Sequence, residues 1–153
     1  IEADLINLMT MFRFASAPFE RQVLARRMGS DALEQLLVGP GRLSFRLLKN
    51  VGQQDSLKDA VGILAETPYH GPLSAALDHY QRSGRLSDVE KALRRFRLHW
   101  MARLIIQDPL GIGVVLGYVA LKISEISNLR WIAQGINLGL EVDTIRAELE
   151  FSA

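Results

Sequence analysis

The sequence predicts an all-α protein, a compact bundle of short and medium helices. Three observations carry that reading. Apolar residues recur at steps of three and four almost everywhere. The interruptions are Gly and Pro clusters of the kind that end helices. No segment alternates apolar and polar residues as a half-buried strand does.

The elements follow in order. Residues 1–15 form the first helix, with Leu5, Leu8, Met9 and Phe12 on one face. Pro18 suits the start of a second, because its fixed φ and missing N–H cost nothing there, and Gly29 ends it. Ser30 or Asp31 is read as the cap of a short third helix reaching Leu37. Gly39-Pro40-Gly41 is a break, and 44–51 a short helix stopped at Gly52. Asp55 or Ser56 caps a helix to Glu66. Residues 67–72 (TPYHGP) are the strongest loop signal, before a helix over 73–82 that Gly84 ends.

Ser87-Asp88-Val89-Glu90 reads as a capping box, with Ser and Glu side chains each satisfying a free N–H of the first turn. It opens a long helix to Ile106, striped by Leu86, Val89, Leu93, Phe96, Trp100 and Leu104. Asp108-Pro109 reads as cap and first helical position of the next helix, running toward Lys122. The apolar run 110–121 is shorter than the ~20 residues a bilayer crossing needs, and is read as a buried helix. Residues 125–138 continue it or follow it, stopped at Gly139, and 143–150 close the chain. No linker divides the 153 residues, which are read as a single helical domain. The sequence opens on Ile1, as if in mid-helix, and reads as a piece of a longer protein.

Composition excludes several functions. Eighteen Lys and Arg nearly balance 17 Asp and Glu, and a net charge of +1 argues against broad capture of nucleic acid. With no cysteine there is no disulfide, thiolate metal site or Cys nucleophile. His70, His79 and His99 lack metal-ligand spacing and read as exposed or singly bonded. Gly39-Pro40-Gly41-Arg42 lacks the Lys-Ser/Thr ending of a phosphate loop, and Gly111-Ile112-Gly113 follows no strand. Glu148 and Glu150 read as ordinary solvated carboxylates. No catalytic, cofactor-binding or metal-binding residue is assigned.

Two features remain. Arg82, Arg85, Arg94, Arg95 and Arg97, with Lys91, form a dense basic series around the long helix. They read either as a solvated face paired with Asp78, Asp88 and Glu90, or as a contact for an acidic partner. A helical adaptor or nucleic-acid-binding module using the basic helix 88–106 is the alternative function. The second feature is a repeat. Asp4-Leu5-Ile6-Asn7-Leu8 returns 121 residues later as Glu125-Ile126-Ser127-Asn128-Leu129-Arg130. Each reads acid, two spacers, Asn, Leu, then more helix, as in a chain built of duplicated helical units. Asn is a poor helix former, so Asn7 and Asn128 read as buried polar pins fixing equivalent helix pairs.

Residues 107–113 (QDPLGIG, with Pro109 and Gly111), the apolar helix to Tyr118, the second copy of the repeat, Gly139 and Ile145-Arg146 together resemble the C-terminal end of the C-type stalk subunit of prokaryotic V/A-type ATPases. The eukaryotic relative is the d-type stalk subunit of the vacuolar ATPase. Asp4, Asn7 and Leu8 fit the family's internal element, and the 39–52 and 67–69 regions fit its C-terminal part. The resemblance covers nearly the whole chain and about the C-terminal half of the family's full-length protein. It implies one repeat unit plus part of a neighbour from a pseudo-threefold helical funnel. It also implies a non-catalytic central-stalk socket on the cytoplasmic side of the membrane. The implied partners are the rotor shaft formed by the D and F subunits, the proteolipid ring and the missing N-terminal half of the same protein. No nucleic acid is expected. The matched residues, Arg130 among them, are read as structural.

Overall fold

The structure, a computed structural model, describes residues 1–29 and 32–151. They contain nine α-helices and no strand: α1 (Glu2–Ser16), α2 (Pro18–Met28), α3 (Ala32–Gln35), α4 (Phe45–Gly52), α5 (Leu57–Gly62), α6 (His70–Ser83), α7 (Ser87–Gln107), α8 (Ile112–Asn137) and α9 (Val142–Glu148). The cap expected of Ser30 or Asp31 lies outside the described residues. The helices divide into two compact units, Ile1–Leu93 and Arg94–Ala153, with the division falling inside α7.

In the first unit α1 is the centre. Leu8, Met11, Phe12 and Ala15 are fully buried, and α1 packs most extensively on α4, then on α2 and α5. α4 is short but well specified. The Ser44 hydroxyl accepts from the Leu47 N–H at 3.2 Å, and Leu48 and Val51 are buried. Gly52 closes against α1, where a Cβ would stand 2.6 Å from the Met11 sulfur. Ser56 caps α5 through the Asp59 N–H at 3.1 Å. Arg21 ties α2 to the turn after α4, donating to the carbonyls of Gly52 and Gln54 and to the Asp55 carboxylate.

In the second unit α9 packs back on α8. α8 ends as the Gly139 signal predicts. Gly139 is left-handed at φ 66, its N–H donates to Ile136, and the Leu140 N–H reaches the Gly135 carbonyl at 2.9 Å. That double closure satisfies two terminal carbonyls and needs a residue without a Cβ penalty at positive φ. Gly135 itself is buried where a Cβ would stand 2.5 Å from the Ile145 side chain.

Four expectations are corrected. The 67–72 segment is not all loop: α6 begins at His70, so Pro72 falls in the first turn, where its missing N–H has no partner to lose. α5 stops at Gly62, short of Glu66. Asp108 does not open α8 with Pro109 at its first position. Gly111 is the cap residue, and the Asp108 carboxylate reaches forward to the Gly113 N–H at 3.1 Å. Pro109 lies in the intervening turn, and a Cβ on Gly111 would collide with that carboxylate. Finally, the 110–121 run is not a buried helix. It joins 125–137 in one 26-residue helix, long and apolar enough to cross a membrane by length and composition. Only Gly113, Gly117 and Gly135 of α8 are buried, while Val115, Leu116, Tyr118 and Val119 are exposed. Burial depends on what packs against a helix, and hydropathy does not name that partner.

Candidate functional site

The two copies of the repeated pattern form two latches. In the first, Asp4 and Asn7 lie on consecutive turns of α1 with both side chains fully buried. The Asn7 amide pairs with the backbone of Val38, accepting from its N–H at 2.8 Å and donating to its carbonyl at 3.0 Å. The Asp4 carboxylate accepts from the Arg42 N–H at 3.0 Å, the Leu43 N–H at 2.9 Å and the Tyr69 hydroxyl at 2.8 Å. Gly41 passes so close that a Cβ there would stand 2.0 Å from Asp4 Oδ1. One turn and a half of α1 therefore fixes the path of 38–43 and the side chain of the fully buried Tyr69.

Burial pushes the Asp4 pKa up, but its hydrogen bonds from Leu43, Tyr69 and Arg42 outweigh that and hold it below the usual carboxylate value. Tyr69 moves the other way: burial, then the bond to ionised Asp4, raises its pKa. Tyr69→Phe removes one of three donors and is expected to cost about 1–2 kcal/mol in urea unfolding, as for a hydrogen bond to a charged group.

The second latch repeats the asparagine half. Asn128 accepts from the Glu150 N–H at 2.9 Å and donates to the Glu150 carbonyl at 2.8 Å, and Ser124 donates to that carbonyl at 3.1 Å. In both units the pin holds main chain just after a short helix, α3 or α9, rather than a second helix. Two arginines complete this clamp. Arg94 pairs with the Glu150 carboxylate at 2.6 Å, and Arg95 donates to the carbonyls of Ala147 and Leu149 at the end of α9. Glu150 is thus neither helical nor an ordinary solvated carboxylate. Asn128→Ala is expected to cost about 1–2 kcal/mol, since it strands a backbone donor and acceptor. Faster amide exchange at Glu150, with exchange at Val38 unchanged, is the readout.

The basic series separates. Arg82 and Arg85 belong to the first unit and are exposed; Arg82 donates to the Asp78 carbonyl, not its carboxylate. Glu90 accepts from Arg13 at 3.1 Å instead of closing a capping box, and Asp88 accepts from Ser83. Arg94 and Arg95 are engaged by the C-terminal segment, and Arg97 is half-buried on α7. Of the remaining motif residues, Arg130 and Leu129 are exposed, and Glu125 meets Lys122 at 2.6 Å. His70 bonds Ser74 at 3.1 Å, and His79 and His99 are exposed. A depression of about 180 Å³ near Arg21, Leu24, Leu33 and Gln53 offers one charged group, already bonded as described. Among the described residues, no three His, Asp or Glu side chains converge as metal ligands do.

Sequence reasoning found Asp4 and Asn7 through the repeat but missed Tyr69, Ser124 and the backbone groups they serve. The signal for Tyr69 was available only as a buried aromatic with a polar handle in a turn.

Comparison with known proteins agrees with this architecture. The A-type ATP synthase C-type stalk protein of Pyrococcus horikoshii is 32% identical over 134 residues, 88% of this chain and 35% of that protein. Its counterpart in Haloferax volcanii is 31% identical over 109 residues, 71% of this chain and 31% of that protein. That of Halobacterium salinarum is 36% identical over 91 residues, 60% and 26% of the two chains. The chain spans about a third of the length of these relatives. No solved structure matches. The family model described as ATP synthase (C/AC39) subunit matches residues 1–148, and the chain belongs to that family.

Proposed function

We propose that the chain is part of the central-stalk socket of a rotary V/A-type ATPase. In this reading it lies on the cytoplasmic side of the membrane, couples the D–F rotor shaft to the proteolipid ring, and hydrolyses nothing itself. It acts as one helical body together with the N-terminal half of the full-length protein. Family membership is the observation that carries the reading. A part that transmits torque must not absorb rotation as local deformation. Closely packed helices meet that need, because protein interiors pack like organic crystals. The latches add to it, since each fixes a connecting segment to a helix by paired hydrogen bonds.

Arg82 and Arg85 are the part of the basic series best placed to meet an acidic partner, being exposed while Arg94 and Arg95 are occupied. The first experiment is co-elution of this chain, and of the full-length protein, with purified D–F shaft. Retention of the full-length protein is expected, with Arg82→Glu/Arg85→Glu weakening it about tenfold if these charges lie at the contact. Failure of both proteins to bind in low and high salt overturns the socket.

A further inference from the structure

The acids of the two latches stand at the same place in the repeat and in different surroundings. Asp4 is buried with three donors. Glu125 is 56% exposed and meets only the end of Lys122, itself half exposed. The apolar stripe diverges in the same way. Asp4, Leu8, Met11 and Ala15 form a fully buried row on α1. Their repeat counterparts on α8 are Glu125, Leu129, Ile132 and Ile136, with Leu129 60% and Ile136 69% exposed. Ile126, the counterpart of buried Leu5, is also half exposed. A row of large apolar residues beside an acid with no backbone donors is an incomplete copy of the first latch, and exposed apolar patches of this extent mark interaction surfaces.

The first unit records what completes it. Gly41 passes close over the carboxylate, Arg42 and Leu43 donate their N–H groups, Ser44 caps, and α4 lays Leu48 and Val51 against the stripe side of α1. We propose that the α8 face carrying Glu125, Ile126, Leu129 and Ile136 docks a partner polypeptide segment of the same chemistry: a glycine turn presenting two successive backbone N–H groups, leading directly into an amphipathic helix. Charge complementarity favours this occupant. A carboxylate accepts paired N–H donors strongly, and an exposed Lys–Glu pair is weak enough to be displaced. A lipid cover is disfavoured, because Lys122, Glu125 and Arg130 interrupt the middle of the helix. The docking surface follows from the internal repeat and is independent of the socket.

The test uses the 153-residue chain with labelled Ile and Leu methyl groups, and as probe a synthetic peptide with the sequence of residues 38–53. Saturable shifts at Ile126, Leu129 and Ile136 are expected. Glu125→Gln should weaken the peptide about tenfold, while Leu129→Asp in the chain, or Gly41→Val in the peptide, should remove binding. No shift at millimolar peptide, or shifts confined to Leu5 and Leu8, overturns the proposal. So does an α8 face covered by a second copy, or by anionic phospholipid vesicles, that the peptide does not displace.

Discussion

Replacing Asp4 with alanine is expected to lower the stability of the first unit by about 3–4 kcal/mol. The variant strands two buried backbone N–H groups and a buried hydroxyl, each costing about 1–3 kcal/mol less whatever relaxation recovers. The loss is large against the 5–15 kcal/mol total of an ordinary domain. Urea unfolding followed by circular dichroism measures it, and a loss below about 1 kcal/mol would mean that water replaces the carboxylate. The same group sets an acid limb. Its folded pKa lies below the ordinary value near 3.9. Its contribution is therefore complete above that value and is lost as pH falls through the depressed folded value. Asp4→Asn should flatten the decline in urea midpoint between about pH 5 and pH 2.5.

The second large effect is a contrast between two leucines at one repeat position. Leu8→Ala removes a fully buried side chain from the centre of α1 and is expected to cost about 2–5 kcal/mol, transfer and cavity together. Leu129→Ala trims a side chain already 60% exposed and should stay within about 0.5 kcal/mol. Equal losses in urea unfolding would show that Leu129 is covered in solution.

The contrast explains what could be read in advance. Helix positions followed from local causes: the glycine after α8, the serine before α4 and the spacing of apolar residues all act within a few residues. The pairing of Asn7 with Asn128 was legible because the pattern recurs in one sequence. Their targets were not, because a side chain that binds main chain leaves no mark on the residue it binds. The exposure of α8 was missed for a different reason. Its composition fits burial, and composition carries no information on whether a neighbour is present. The capping box at Ser87 failed through competition, since Arg13 engages Glu90 from far away in sequence.

The latches grip peptide groups, and so they are blind to side-chain identity. One Asn holds a valine and the other a glutamate with nearly the same bond lengths. The path of each strap is dictated while its lettering is left open. Positions 38 and 150 are therefore free to be rewritten for contact with other molecules at little cost to the fold, which makes these pinned straps the natural places for such a protein to acquire new surface chemistry.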